Sequence, residues 1–327
     1  MGAVLVTGAA GFIGAHLCRA LLARGEKVVG LDNLNPYYDP ALKRARLAAL
    51  VGDAPGFRFH EIDLADDQAV LALMADRGIA QGIDRVVHLG AQAGVRWSIA
   101  QPFAYTAANV TGTLAMLEGV RRAEGRIGHM VYASTSSVYG SRRDGPFTEG
   151  DRTDNPASLY AATKKATEVM ASAYSDLYGL SLTGLRFFTV YGPWGRPDMA
   201  VWLFTEAMLA GRPIKLFNEG RMRRDFTFVD DIVAGVLAVL DHPPRRPAHR
   251  LYNIGNNRPE ELLDLVAILE EQLGVPALRD LQPMQPGDVP ATFADVAAMT
   301  RDFGWRPTTD LRTGLARWVA WWRASGR

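Results

Sequence analysis

Six short stretches, Ala3–Thr7, Lys27–Asp32, Phe57–Glu61, Arg85–Leu89, His129–Ala133 and Ser181–Phe187, are predicted as strands, and several are almost continuously apolar. Strands buried on both faces of a parallel sheet read this way, whereas one-sided strands alternate. Between them lie Gly11–Arg24, Pro40–Leu50, Asp66–Asp76, Gln101–Glu124 and Ser158–Tyr178, where helical patterns predict helices. Strand alternating with helix is the habit of βαβ units. The expected fold is α/β, a doubly wound parallel sheet.

After Tyr191 the pattern changes. Gly192-Pro193-Trp194-Gly195-Arg196-Pro197 is a dense turn signal, and shorter elements with more prolines follow. This places the larger domain at 1–190 and a smaller C-terminal α/β lobe at 191–327. A helix over Phe228–Leu240 and a strand over Leu251–Ile254 suggest that the chain returns to the larger domain around 226–255. Leu311, Leu315, Trp318 and Trp322 recur at helical spacing and read as a packed C-terminal helix rather than a ring-stacking site.

Composition narrows the function. The 327 residues carry 36 basic and 35 acidic side chains, a net charge of +1, so no overall field favours a nucleic acid. The single cysteine, Cys18, cannot form an internal disulfide and sits on the apolar face of the first helix, where an inert buried thiol is expected. No run of eighteen apolar residues occurs, and no basic region precedes an apolar segment at the N-terminus. A soluble, cytoplasmic protein of a reducing compartment is the expectation, with no membrane partner and no metal.

The stretch LVTGAAGFIGAHL sets Gly8, Gly11 and Gly14 between the first strand and the first helix. A helix N-terminus offers unpaired N–H groups and partial positive charge to a phosphate, provided that no side chain blocks it. In a dinucleotide site Gly8 would allow the tight turn, Gly11 would admit the pyrophosphate and Gly14 would let the helix pack on the sheet. Glycines in such a turn can also be purely structural. Asp32 at the end of the second strand can accept from a ribose 2′-hydroxyl and repel a 2′-phosphate, which favours NAD over NADP. Asp63 and Leu64 close the third strand, where they could border an adenine; a solvated turn accounts for Asp63 equally well.

Tyr160 and Lys164 lie four apart in a helical pattern and so share a face. A nearby ammonium favours the phenolate and brings its ionisation toward neutrality, which would make Tyr160 a general base. An ordinary amphipathic helix gives the same spacing. The preceding VYASTSSVYG replaces the apolar run with Ser134, Thr135, Ser136 and Ser137, hydroxyls at the carboxyl end of a strand, where open α/β sheets bind ligands.

Together these features resemble the extended short-chain dehydrogenase/reductase superfamily, of Rossmann type, over nearly the whole chain. DNLNPYYDPALKRARL, AQAGVRWS, SLYAATKKATE, LRFFTVYGPWGRPDMA and MRRDFTFVDDI are similar, more narrowly, to the UDP-glucuronate 4-epimerases. The resemblance implies an NAD-dependent isomerase that interconverts UDP-glucuronate and UDP-galacturonate through a 4-keto intermediate. It implies catalytic Thr135, Tyr160 and Lys164, with NAD held by Gly8, Gly11, Phe12, Ile13, Gly14, Asp32, Asn33, Asp63, Leu64, Leu89, Ala91, Gln92, Tyr160 and Lys164. Ser136 and Thr189 would hold the sugar carboxylate, so that the β-keto acid keeps its carbon dioxide. Arg96, Arg196 and Arg224 would meet the diphosphate, Lys215 and Phe217 the uracil, and Asp288 the uridine ribose. Gly90 stands where the family usually has alanine, which would loosen packing on the nicotinamide side.

A 4,6-dehydratase resembling its family would carry an acidic pair directly after the threonine, and a UDP-glucuronate decarboxylase a glutamate in place of Ser137; this chain has Ser136 and Ser137. Hexose epimerases of the superfamily often carry asparagine where Thr189 stands, so a UDP-hexose 4-epimerase is the nearest alternative. A non-catalytic NAD-binding sensor or scaffold is the alternative from another class. The helices Gln101–Glu124 and Ser158–Tyr178 are implied to pair two copies as a homodimer.

Overall fold

The structure, a computed structural model, describes residues 2–80, 82–142, 145–244, 248–284 and 291–326. The chain forms two compact units. One comprises Met1–Gly140, Arg152–Arg186 and Val233–Tyr252, the other Ser141–Asp151, Phe187–Ile232 and Asn253–Arg327.

The first unit is built on a seven-stranded sheet of β1 (Ala3–Thr7), β2 (Lys27–Asp32), β3 (Phe57–Glu61), β4 (Ile83–His88), β5 (His129–Thr135), β6 (Ser181–Phe187) and, later in the chain, β10 (Ala248–Ile254). Its order is β10-β6-β5-β4-β1-β2-β3. β1 lies parallel to both β2 and β4, so the winding reverses between β1 and β4. Such a switch point opens a crevice beyond the carboxyl ends of the two strands. All five residues of β1 are buried, as the two-sided reading of its sequence requires. Leu5, Leu31, Val86, Met116, Met130 and Leu182 belong to one core cluster. Cys18 lies fully buried in the helix Phe12–Ala23.

Besides small shifts at the ends of β4 and β10, two departures from the sequence reading bear on the site. β5 runs on to Thr135, two residues past the apolar stretch, because the Ser134 hydroxyl finds a buried partner in Glu168 at 2.7 Å. The helix expected over Gln101–Glu124 is broken into Pro102–Tyr105, a π-helical turn Thr106–Thr111 and Gly112–Arg122. The wider turn carries buried Asn109, whose amide donates to Gln92 O at 3.1 Å and to Thr163 Oγ1 at 3.0 Å and whose oxygen accepts from Gln92 N at 2.7 Å. π-Turns inside helices are frequent at functional sites.

In the second unit β9 (Arg223–Phe228) is central, paired with β7 (Thr189–Tyr191), β11 (Pro259–Glu261) and β13 (Ala291–Thr292). A separate parallel pair joins β8 (Ile214–Phe217) to β12 (Arg279–Gln282). Asp225, fully buried on β9, accepts from Ala294 N at 2.9 Å, Asn257 N at 3.1 Å and Thr227 Oγ1 at 3.1 Å, and also from Asn256 N. Burial pushes its carboxyl up to about 6. The helix Leu311–Ala324 buries Trp318 and Trp322, with Trp318 Nε1 on Thr205 Oγ1 at 2.9 Å, so these rings serve as core. Among the described residues no helix is long and apolar enough to cross a membrane.

Candidate active site

The glycine turn follows directly on β1, at the β1–β4 switch point. Gly8 takes φ 70°, a conformation that a side chain disfavours, and Gly11 caps the helix Phe12–Ala23 without any side-chain hydrogen bond. A Cβ on Gly11 would lie 2.9 Å from the Gly8 carbonyl oxygen, and one on Gly14 only 2.0 Å from it. Gly14 therefore serves the turn itself. The close approach that Gly14 permits is thus between the helix and the Gly8–Ala9 turn at the end of β1. Phe12 is buried and Ile13 half-buried on the first turn of this helix.

Leu89 N on Thr7 O at 3.2 Å and Gly90 N on Thr7 Oγ1 at 3.0 Å join the two strand ends. Gly90 does not loosen this wall: a Cβ there would lie 2.5 Å from Leu64 Cδ1, so buried Leu64 already fills the space. Beyond it Ala91 is half-buried and Gln92 is buried on Asn109.

Asp32 ends β2 with 8% of its surface exposed, accepting from Ala10 N at 3.1 Å and Leu34 N at 2.9 Å. The carboxylate thus fixes the turn that it flanks. Asn33 donates to Asp63 at 3.0 Å, and Asp63 also accepts from Ala65 N at 2.9 Å, so this exposed carboxylate shapes a turn beside Leu64. Two basic residues passed over in the sequence belong here. Lys43 Nζ lies 3.9 Å from Asp32 Oδ1, with its pKa lowered by burial. Arg46 is fully buried and donates to Ala10 O at 2.6 Å and to Tyr38 OH at 3.1 Å. On an amphipathic helix both read as surface residues, and nothing in their spacing separates them from Arg44, which is exposed.

The helix Leu159–Tyr178 is capped by Ser158, whose side chain accepts from Ala161 N. Tyr160 sits half-buried in its first turn, its ring 6.1 Å from that of Tyr105 in an edge-on contact. Tyr105 is itself fixed by its hydroxyl, which donates to Ala93 O at 2.8 Å and also to Gly94 O. Thr163 Oγ1 bonds the Tyr160 carbonyl at 2.9 Å and accepts from Asn109. Lys164, one turn beyond Tyr160, is only 3% exposed. Burial brings its pKa down to about 8, against the opposing field of Glu168. His88 beside it is held neutral, at about 3, by burial and then by the Lys164 charge. Thr135 ends β5 and caps the turn Ser136–Tyr139, accepting from Ser137 N at 3.2 Å and donating to Ser137 Oγ at 3.3 Å.

The remaining candidates are dispersed. Ser136, half-buried, follows Thr135, and Arg96 is exposed at the N-cap of Trp97–Ala100, both in the first unit. In the second unit Thr189 opens β7, Arg196 binds Asp198 Oδ1 at 3.0 Å, Lys215 and Phe217 lie on β8, and Arg224 on β9 donates to Arg223 O at 2.9 Å. Asp288 lies outside the described residues.

The family model described as the NAD dependent epimerase/dehydratase family matches residues 4–255. "UDP-glucuronate 4-epimerase 4" of Arabidopsis thaliana is 49% identical over 333 residues, covering 98% of this chain and 75% of that protein. The "Uncharacterized 37.6 kDa protein in cld 5'region" of Escherichia coli O111:H- is 49% identical over 334 residues, covering 98% of both. The crystal structure of UDP-glucuronic acid 4-epimerase from Bacillus cereus, in complex with UDP-glucuronic acid and NAD, superposes with a TM-score of 0.90 at 32% identity, over 98% of this chain and 99% of that one. The fold, the glycine turn and the match over residues 4–255 agree: the chain belongs to the NAD dependent epimerase/dehydratase family.

Proposed function

We propose that the chain is an NAD-dependent 4-epimerase that interconverts UDP-glucuronate and UDP-galacturonate without decarboxylation. The observation that carries this reading is the buried Lys164 ammonium one turn from Tyr160, on a helix in the same unit as the glycine turn.

The first unit fits the dinucleotide. Gly8, Gly11 and Gly14 form a cradle that a Cβ would fill, the helix beyond it opens with free N–H groups for a pyrophosphate, and Asp32 stands where a ribose hydroxyl would donate. Asn33, Asp63, Leu64, Leu89, Ala91 and Gln92 complete the proposed wall. NAD, when bound, supplies the acceptor that takes hydrogen from C4 of the sugar and gives it back.

The chain's own groups manage protons and position. Lys164 stabilises the Tyr160 phenolate, which takes the C4 hydroxyl proton, and the Thr135 hydroxyl bridges phenol and sugar. Returning that proton after the keto sugar has presented its other face completes the epimerisation. In the first unit Ser136 binds the C6 carboxylate by a neutral hydrogen bond, in the second Thr189 is the candidate for sugar selectivity, and with serine at 136 and 137 no carboxyl group follows Thr135 to drive elimination or decarboxylation. The second unit is proposed as the nucleotide lobe, with Arg196 and Arg224 for the diphosphate, Lys215 and Phe217 for uracil and Asp288 for ribose; Arg96 of the first unit is a further phosphate candidate.

Exposed Phe103 (84%), Val169 (58%) and Leu177 (71%) on the helices of the first unit support pairing of two copies. Cytoplasmic residence rests on the lone buried Cys18 and the balanced charge. The test is proton NMR of UDP-glucuronate incubated with purified enzyme and no added NAD. UDP-galacturonate is expected; a UDP-pentose as the main product, or no conversion even with NAD supplied, overturns the assignment.

A further inference from the structure

Behind the hydroxyl-rich end of β5 lies a buried ion pair for which the proposed chemistry has no use. Glu168 and Arg186 are each 2% exposed and doubly bonded, Arg186 Nε to Glu168 Oε1 at 2.8 Å and its terminal nitrogen to Oε2 at 2.9 Å. Glu168 also accepts from Ser134 Oγ at 2.7 Å, the residue before Thr135, and Lys165 Nζ stands 3.3 Å away. Arg186 donates to Tyr139 OH at 3.0 Å, and Tyr139 ends the turn that Thr135 caps. Three elements, β5, β6 and the helix Leu159–Tyr178, thus meet on one carboxylate.

Stability alone does not call for such a pair. Buried ion pairs are often matched or bettered by apolar residues of similar volume. Their directional bonds, however, fix the relative position of the elements that they join. Tyr160, Lys164 and Glu168 recur every four residues, on one face of the helix.

We propose that Glu168, held by Arg186, is a positioning residue for the reaction: it locks the strand end carrying Thr135 to the helix carrying Tyr160, and its charge keeps Lys164 an ammonium. The inference rests on the epimerase reading. His88 from β4 faces Lys164, and Glu168 lies on the lysine's own helix. Glu168 is faced in turn by Arg186 of β6, Ser134 and Tyr132 of β5, Lys165 of its helix and His249 of β10. His88 is neutral, so Glu168 is the anion that supports the lysine. Burial alone would raise its carboxyl, but the bonds and charge of Arg186, joined by the Ser134 bond and the Lys165 charge, hold it below the ordinary range.

The test is the pH profile of kcat for the NAD-loaded enzyme, with the side-chain resonance of Lys164 titrated in 13C-lysine-labelled protein and assigned by its absence in Lys164→Arg. Glu168→Gln moves the alkaline limb and the Lys164 titration to lower pH, by roughly one unit for a lost neighbouring charge. Arg186→Met removes the cation that holds the carboxyl ionised, so burial neutralises Glu168 and both move to lower pH as well. KM changes by less than about twofold in each, because neither side chain is exposed to substrate. Downward shifts support the proposal, and either variant alone decides it if the other does not fold. Limbs that stay in place while kcat falls overturn it, since mere loosening lowers kcat at every pH. If the wild-type enzyme turns over no uronate, the epimerase reading fails and the lysine titration still decides this inference.

Discussion

Gly14→Ala probes the cofactor cradle at its tightest point. The added Cβ would lie 2.0 Å from the Gly8 carbonyl oxygen, 2.8 Å from the carbonyl carbon and 3.2 Å from Ala9 Cα. Real Cβ contacts essentially never fall below 3.0 Å, so the turn or the helix must move by roughly 1 Å, and the atoms in the way are backbone that cannot rotate aside. Overpacking of this kind costs about 3 kcal/mol, the upper end of its usual range. For a chain of this size, with an unfolding entropy of about 2.1 cal/mol/K per residue, that lowers Tm by roughly 4 °C. The shift also displaces the N–H groups that would face the pyrophosphate, so NAD content after gel filtration falls well below one per chain. Thermal unfolding and acid release of nucleotide measure the two effects. Gly82→Ala, with nothing within 4 Å of the new Cβ, is the neutral control. A Gly14→Ala protein that melts with the wild type and retains full NAD would refute the reading of this turn.

Four further outcomes follow from the same geometry. Burial holds Lys164 near 8, so its ammonium is present below that pH and lost above it; kcat should hold to about pH 8 and then decline, while an undiminished rate at pH 9.5 would contradict the role. Thr135→Val, which removes the bridging hydroxyl, should lower kcat by about 10²- to 10³-fold with KM little changed, as steady-state kinetics would show. Arg46→Met cuts the bond to Ala10 O behind the glycine turn, and equilibrium dialysis should show NAD binding weakened by about tenfold or more. Thr189→Asn should raise kcat/KM for UDP-hexoses relative to UDP-glucuronate; an unchanged ratio would remove Thr189 from the account of specificity.

The parallel sheet was legible because strands buried on both faces cannot hide their apolar runs. β1, β2 and β6, almost wholly buried, span the residues that the sequence pattern marks; the edge strand β3, which alternates and has no buried residue, is marked as well. The glycine turn and the Tyr160–Lys164 spacing were legible for a similar reason, since each is local and uses residue types with few substitutes. The polar scaffolding behind them was not. Asn109, Glu168, Arg186 and Arg46 owe their roles to partners 17, 34, 18 and 36 positions away, and sequence periodicity carries no information on which polar residue turns inward. The π-turn at Thr106–Thr111 leaves no mark in the apolar spacing, and it is defined by the buried amide of Asn109. The excursion of Ser141–Asp151 into the second unit is another non-local feature, secured by the Glu149 carboxylate on Asn253 N at 2.8 Å and by the Phe147–Ala294 bridge.

In the proposed epimerisation hydrogen leaves C4 of the sugar and comes back to C4 within one bound complex. UDP-glucuronate deuterated at C4, converted by enzyme purified with its own NAD and followed by proton and deuterium NMR, tests that directly. The label should reappear at C4 of UDP-galacturonate undiminished, with no solvent hydrogen entering C4 or C5. Washout of the C4 label, or solvent deuterium at C5 when the reaction runs in heavy water, would mean that inversion proceeds by another route.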